Sequence, residues 1–393
     1  SPVSITYFTD YSCWIDPLMK EYMMAPGASS NTGEAYAIYP NKGDPALVCS
    51  SALMAVNAID LWVKDLRCYG ATGTDVSIPA GDWGSDEARI MESVASAPKN
   101  SSASHALRAA LKDRNMTSTT VGIEMEGLPG HRYQALCAAL PHVTWKDCSN
   151  LLRVIRSVKT EDEIQRLSRA AEINESAALG AFQLAKPGES IRNCINHFRQ
   201  RVGEMGADMD HFAFGYRGMG IATEPDLILS DSFVEYVDWG CVYRQCYSDT
   251  GTTLAMAPLS KELHWRYQAL RSCMDDSAAL IQPGMKASAV RAPMQAAIER
   301  FGLKDMYPHG HGLGLEVRGY PIIVPDNGLF IKDDCLDVPS DLPLEENMVI
   351  NLEAPLFMPG VGSLHIEESY VVTSNGYREL IPQARRQPVI PHM

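Results

Sequence analysis

One architecture is spelled twice in the later part of this 393-residue chain. In the first copy, Thr160-Glu161-Asp162-Glu163 forms a capping box, with Thr160 capping the helix and Glu163 returning the bond. Ile164, Leu167, Ala171, Ala178 and Phe182 follow at helical spacing, and the helix stops at Lys186-Pro187-Gly188. A second helix starts after Ser190. A glycine-rich loop, Phe214 to Gly220, precedes strand-like runs around Val234–Asp238 and Tyr243–Leu254. In the second copy, Ser260 begins a helix through Leu263, Leu270 and Leu280 that stops at Gln282-Pro283-Gly284. Another helix covers Ala289–Phe301, a glycine-rich loop covers His309–Gly314, and strands cover Met348–Glu353 and Leu364–Thr373. Residues 160–255 and 260–373 therefore read as a duplication of architecture without a duplication of sequence.

The preceding part, to about residue 150, reads as a separate α/β unit. Ser4–Phe8, Ala46–Cys49 and Thr120–Ile123 are strand-like, and helices are expected around Ser104–Asn115 and from Gly130 through Tyr133, Leu136 and Leu140. Gly70–Gly84, rich in Gly, Asp and Thr, reads as loop. The boundary falls between Leu151 and Lys159, giving domains of 1–152 and 153–393. With 46% hydrophobic and 21% charged residues, both can bury an ordinary core. The net charge of −14 argues against nucleic acid or an anionic membrane as partner. Ten cysteines without a CxxC pair fit neither a zinc ribbon nor a disulfide scaffold, and read as reduced, buried thiols. No apolar run reaches the roughly 20 residues of a membrane helix, and no signal peptide is apparent, so a cytoplasmic location is expected. The chain opens without Met, so its natural N-terminus is expected to be trimmed or to lie outside this sequence.

Each copy ends in two strands that carry carboxylates. Asp238, in Tyr236-Val237-Asp238-Trp239-Gly240, and Asp249, in Tyr247-Ser248-Asp249-Thr250-Gly251, stand eleven residues apart in apolar, strand-like surroundings. Asp is depleted in strand interiors, and a charge placed there must be paired, neutralised or metal-bound. Eleven residues is a natural separation for neighbouring hairpin strands to bring both side chains together. His311 lies among glycines in His309-Gly310-His311-Gly312-Leu313-Gly314, where the backbone can approach closely. Glu353 and Glu367 lie in two further apolar strands; Glu367 and Glu368 must face opposite ways, so only one of them can join a site. Four strand carboxylates and one imidazole form an oxygen-rich set suited to two divalent ions, of Mn, Fe, Co or Zn.

These motifs resemble the pita-bread (creatinase/aminopeptidase P/prolidase-type, M24) metallohydrolases. The resemblance rests on Asp238-Trp239-Gly240, Asp249-Thr250-Gly251-Thr252-Thr253, Gly310-His311-Gly312-Leu313-Gly314, Glu353 and Ile366-Glu367-Glu368. It is specific over residues 150–380 and loose over 1–150, which would be the extra N-terminal domain of the creatinase and Xaa-Pro branch. It implies an α/β (α+β) fold, with a pita-bread catalytic domain of pseudo-two-fold symmetry behind a creatinase-type α/β domain, and a homodimer. It also implies that Asp249 and Glu367 bridge the metals, that Asp238 completes one site and His311 with Glu353 the other, and that Glu353 relays protons.

Two departures stand out. Where Xaa-Pro peptidases carry a second histidine after the glycine loop, this chain has Arg318; and Ala222–Asp226 offers no histidine ahead of Asp238. Arg318 brings a forked donor suited to a substrate carboxylate. His309 joins Glu353 and Arg318 as a catalytic candidate, and Tyr320, Tyr216, Arg217 and Trp239 are weaker pocket candidates, Trp239 in particular reading also as a core filler. The expected activity is hydrolysis of an amide or peptide bond in a small dipeptide or N-substituted amino acid. A metal-dependent lyase acting on a small organic acid, a metal-free creatinase-like hydrolase, and a binding module that keeps the fold are the alternatives.

Overall fold

The computed structural model describes residues 1–13, 34–51, 54–70, 75, 81–99, 101–304, 306–382 and 387–391. Much of the expected Gly70–Gly84 loop lies outside them. The chain divides into two compact units, Ser1–Leu152 with Lys332–Leu336, and Arg153–Ile331 with Asp337–Met393.

In the first unit, β1 (Tyr36–Ile38), β2 (Ala46–Ser50) and β3 (Asp65–Tyr69) form one sheet, with β2 and β3 parallel. β4 (Thr120–Ile123) and β5 (Thr144–Asp147) form a second parallel pair. Helices Ser85–Ser96, Ala103–Asp113 and Gly130–Ala139 accompany them. The strand expected at Ser4–Phe8 is instead part of a helix, Pro2–Thr9. Pro2 enters the first turn with φ already helical, and the Ser1 hydroxyl accepts from Ser4 N at 3.3 Å. These end effects override the strand preference of Ile5, Thr6, Tyr7 and Phe8.

The second unit is built on strands β6 (Asp208–Gly215), β7 (Ile221–Ala222), β8 (Val234–Tyr243), β9 (Cys246–Ala255), β10 (His309–Gly312) and β11 (Gly319–Ile323). Further along come β12 (Phe330–Lys332), β13 (Asp337–Pro339), β14 (Val349–Glu353), β15 (Leu356–Met358), β16 (Gly362–Leu364), β17 (Glu367–Thr373) and β18 (Gly376–Glu379). A nine-stranded sheet runs β11-β10-β14-β17-β9-β8-β6-β7, with β18 beside β17. Its middle is two copies of one motif meeting edge to edge: β6-β8-β9 from the first half, then β17-β14-β10 from the second. The turns that join the helix pairs are built alike. Gly188 N donates to Leu229 O at 2.7 Å and Ile191 N to Leu227 O at 2.8 Å; Gly284 N donates to Leu344 O at 2.8 Å and Ala287 N to Leu342 O at 3.0 Å. Gly188 and Gly284 have φ of +87° and +84°, which explains the glycine after each proline.

Helices cover one face of this sheet. Glu161–Phe182, opened by the capping box at Thr160, and Ile191–Glu204 bury Ile173, Phe182, Ile195 and Phe198 against Phe212, Val237 and Trp239. Lys261–Ala278 and Ala287–Arg300 bury Leu270, Met274, Val290 and Met294 against Ile350 and Leu352. The first of these ends two residues short of the expected Leu280. Two strand expectations also change. His309–Gly312 is not loop but strand β10, paired on both sides. Its glycines serve close backbone approach: a Cβ on Gly310 would sit 2.3 Å from Asn351 O, and one on Gly312 2.0 Å from Tyr320 O. The run Leu364–Thr373 breaks at His365-Ile366 into β16 and β17, because β16 turns to pair β15.

Candidate metal centre

Strand register alone assembles the site. Residues directly opposite each other on antiparallel strands share a face, as do positions i and i+2 of one strand. Asp238 lies opposite Gly251, Gly251 opposite Glu367, Glu367 opposite Glu353, and Glu353 opposite His309. One straight row thus crosses five strands. The next row holds His211 opposite Gly240, Gly240 opposite Asp249, and His311 opposite Asn351. The two rows put every acid and imidazole of the expected metal set on the face away from the helices.

The side chains meet there. Asp238 Oδ2 accepts from the Tyr236 hydroxyl at 2.5 Å. His311 Nε2 lies 3.6 Å from Asp249 Oδ2 and 3.9 Å from Glu353 Oε1. Glu353 Oε1 is 2.7 Å from both His309 Nε2 and Arg318 Nη2, and those two nitrogens are 3.1 Å apart. Glu367 and Asp249 are buried, whereas the Arg318 side chain is 55% exposed and so stands at the mouth. Glu368 faces the helices: Arg271 grips it through both oxygens, at 2.6 and 2.7 Å.

Two histidines join this set that sequence reading did not assign. His211 Nε2 lies 2.9 Å from Asp238 Oδ1 and 3.4 Å from Asp249 Oδ1. His365 is fully buried, its Nε2 3.1 Å from Glu367 Oε2 and its ring packed at a tilt against Tyr236, centroids 4.1 Å apart. The spacing His365-x-Glu367 carried a signal, since alternate strand positions share a face. His211 carried none, because nothing local says that β6 lies beside β8. Both rings need glycine. A Cβ on Gly240 would fall 2.4 Å from His211 Cε1, and one on Gly251 2.1 Å from His365 Cδ2. This is the physical content of the Asp-x-Gly and Asp-Thr-Gly motifs.

Other expected pocket residues lie elsewhere. Trp239 points to the opposite face from Asp238 and is fully buried, 5.1 Å from the Phe182 ring, so it fills core and does not line the site. Tyr216 and Arg217 form the β6–β7 turn, where Tyr216 N bonds Gly220 O and Arg217 O accepts from Gly360 N. The structure does not bring them into contact with the carboxylates. Tyr320 lines a small cleft with Lys159, Leu313 and Glu316.

The electrostatics are those of a crowded acid cluster. Burial, and then the neighbouring Asp238 and Glu353, push the Asp249 carboxyl up to about 7, against the pull of His211. Burial and the charges of Asp249, Asp238 and Glu353 likewise hold Glu367 well above the usual range. Burial opposes charge on His211, but hydrogen bonds to Asp210, Asp238 and Asp249 overcome it and keep the ring cationic. Burial depresses His311 and His365 to about 4. Glu353 is held below its ordinary value because His309 outweighs the cost of burial.

Four carboxylates with several imidazoles in one place is donor chemistry suited to divalent metal. Three triplets have ligand atoms within 4.8 Å of one another: His211, Asp238 and Asp249; Asp238, His365 and Glu367; and Asp249, His311 and Glu367. Without a cation these acids repel, which gives a signed expectation. At pH 6.5 the unfolded chain still holds about one proton on His311 and His365 together, which the folded chain lacks, and it loses that proton by pH 8, whereas Asp238 and Glu353 are ionised in both states. Against that, folded Glu367, His211 and His309 keep protons that the unfolded chain gives up, and folded Asp249 keeps part of one until about pH 7, so the folded state binds the more protons. Stability of the metal-free protein therefore falls as pH rises through this window. Melting curves at pH 6.5 and 8 should show a drop of about 5 °C or more, abolished by a divalent metal. A melting point that rises with pH would contradict the extra protons assigned to folded Asp249, Glu367 and His211.

Comparison with known proteins bears on the same residues. The model of metallopeptidase family M24 matches residues 165–374, and that of the creatinase/prolidase N-terminal domain matches residues 1–158. An uncharacterized peptidase of Staphylococcus aureus is 27% identical over 265 residues, covering 66% of this chain and 72% of its own length. The X-Pro aminopeptidase from Thermotoga maritima superposes with a TM-score of 0.74 at 18% identity, over 98% of this chain and 93% of that one. The prolidase from Pyrococcus furiosus superposes at 0.70 and 19% identity, over 98% and 95%. The structural likenesses speak to the fold. Among the described residues no helix is long and apolar enough to cross a membrane.

Proposed function

Because the chain belongs to metallopeptidase family M24, we propose that it is a metal-dependent hydrolase cleaving the C–N bond of a small dipeptide or N-substituted amino acid, in the manner of Xaa-Pro dipeptidases and aminopeptidases. In this reading residues 1–152 are the creatinase-type domain and 153–393 the catalytic one. The observation that supports it is the row Asp238, Glu367, Glu353 and His309, with Asp249 and His311 alongside, on one face of the sheet. Asp238, Asp249, His311, Glu353 and Glu367 would hold two divalent ions, with Asp249 and Glu367 shared. The ions would supply Lewis-acid activation of water and of the scissile carbonyl at neutral pH.

The chain's own groups do the rest. Glu353, kept ionised beside His309 and Arg318, accepts the proton that water gives up. His309, whose affinity for a proton the Glu353 carboxylate raises against the cost of burial, is placed to return one to the leaving nitrogen. Arg318 commits one nitrogen to Glu353 and offers its remaining N–H edge to a substrate carboxylate.

The test is a panel of dipeptides and N-acyl amino acids incubated in water enriched in heavy oxygen. Hydrolysis places heavy oxygen in the carboxylic acid product. An alkene product without it makes the protein a lyase. On a hydrolysed substrate, Arg318→Ala should raise KM about 30-fold, roughly 2 kcal/mol, when the substrate carries a free carboxylate. The amide-capped analogue should change little. Equal losses on both substrates would mean that Arg318 acts only through Glu353.

A further inference from the structure

His211 has the setting of a metal ligand rather than of a surface ion pair. It lies on β6 in a bulge: Met209 pairs Cys241 and His211 pairs Gly240, leaving Asp210 as the extra residue. Consecutive strand residues ordinarily point to opposite faces, so Asp210 and His211 could not meet. Bulges re-aim side chains in this way and are frequent beside active sites. Here the bulge brings Asp210 Oδ2 to 2.8 Å from His211 Nδ1 while Nε2 points between Asp238 and Asp249. The ring is thus held by a carboxylate on one nitrogen and presents the other to two acids. That is the outer-carboxylate, imidazole, metal arrangement by which ligating histidines are oriented.

Two further observations agree. Gly240 leaves the room the ring occupies, since any Cβ there would overlap Cε1 at 2.4 Å and Nδ1 at 2.6 Å. And β6 holds in the first half of the sheet the place that β10, the strand of His311, holds in the second. We propose that His211 is a sixth protein ligand, binding through Nε2 the ion held by Asp238 and Asp249, with Asp210 as its positioning residue. This rests on the metal-pair reading above and adds to it: each ion then has one imidazole, from His211 and His311 respectively. A centre with nitrogen on both ions favours Zn, Fe or Co over Mn. Binding exchanges a proton on Nε2 for the metal, so a proton is released to solvent.

The experiment is titration of the metal-stripped full chain with Co(II), read by bound stoichiometry and the visible absorption of the bound ion. Wild type, His211→Gln and Asp210→Asn are compared. If His211 ligates, His211→Gln binds one of its two ions about 100-fold more weakly and the absorption of that ion shifts. Asp210→Asn keeps the ligand and weakens the same ion about 10-fold. If His211 is instead a cation that merely neutralises Asp238 and Asp249, removing it relieves competition. His211→Gln then binds both ions as tightly as wild type or tighter, with an unchanged spectrum, and the proposal is overturned. Should His211→Gln fail to fold, wild-type Co(II) affinity in Asp210→Asn overturns it as well. A wild type that takes up no Co(II) defeats the metal-pair reading itself, a different outcome from an unchanged variant.

Discussion

Asp249→Asn should strip metal from the centre and yet raise the stability of the metal-free protein at pH 8. Asp249 belongs to the triplet with His211 and Asp238 and to the triplet with His311 and Glu367, so in the proposed metal pair this one carboxylate would serve both ions. The amide keeps the shape but removes the charge. Metal content, measured on the purified protein, should drop from close to two ions per chain to one or fewer. Turnover should fall at least about 1000-fold, some 4 kcal/mol of barrier. The stability change has the opposite sign. At pH 8 the ionised Asp249 is a buried charge among Asp238, Glu353 and Glu367, so its removal relieves repulsion in the metal-free protein. The metal-free variant should melt about 5 °C higher than metal-free wild type and gain little on adding metal. A variant that loses activity, keeps both ions and melts lower would show that Asp249 acts by packing and not as a shared ligand.

Gly251→Ala should damage both stability and turnover although it adds a single methyl group. Gly251 lies in the row between Asp238 and Glu367, and its missing side chain is the space that His365 fills. The added Cβ would lie 2.1 Å from His365 Cδ2 and 2.8 Å from Glu367 Oε2. Neither group can yield. The His365 ring is packed against Tyr236, and its backbone is fixed by Thr253, whose hydroxyl donates to His365 O at 3.1 Å and accepts from His365 N at 2.8 Å. The overlap should cost about 3 kcal/mol, a melting drop of about 6–12 °C, and shift Glu367 enough to reduce turnover at least about 100-fold. Gly203→Ala is the control. It sits in the helix Ile191–Glu204 with open space around it, and alanine there should stabilise by about 0.5–1 kcal/mol. If Gly251→Ala melted like wild type, His365 would not be a fixed wall.

The elements themselves were legible because their signals are local. Caps at Thr160, Ser190 and Ser260, the turns at Pro187-Gly188 and Pro283-Gly284, and helical spacing of apolar residues lie within a few positions of what they specify. The acids at Asp238, Asp249, Glu353 and Glu367 stood out for the same reason, as charges inside apolar strands. The exceptions are local competitions lost: at Ser4–Phe8 a cap and an N-terminal proline outweighed strand propensity, and at His309–Gly312 the glycines marked a tight approach of neighbouring strands, not a loop.

Alternation along a strand decides which residues share a face, and it placed Glu367 and Glu368 on opposite sides in advance. It cannot say which strand lies alongside, or in what register. Those depend on pairings between residues far apart in the chain: Gly251 with Glu367, Glu353 with His309, His211 with Gly240. Hence Trp239, beside an aspartate in sequence, belongs to the core, while His211, 27 residues from Asp238, touches it. Local chemistry thus sets the order of the elements and the residues able to carry the chemistry. Which of them meet depends on a row across five strands, a property of register, and register is settled by backbone hydrogen bonds and core packing between distant segments.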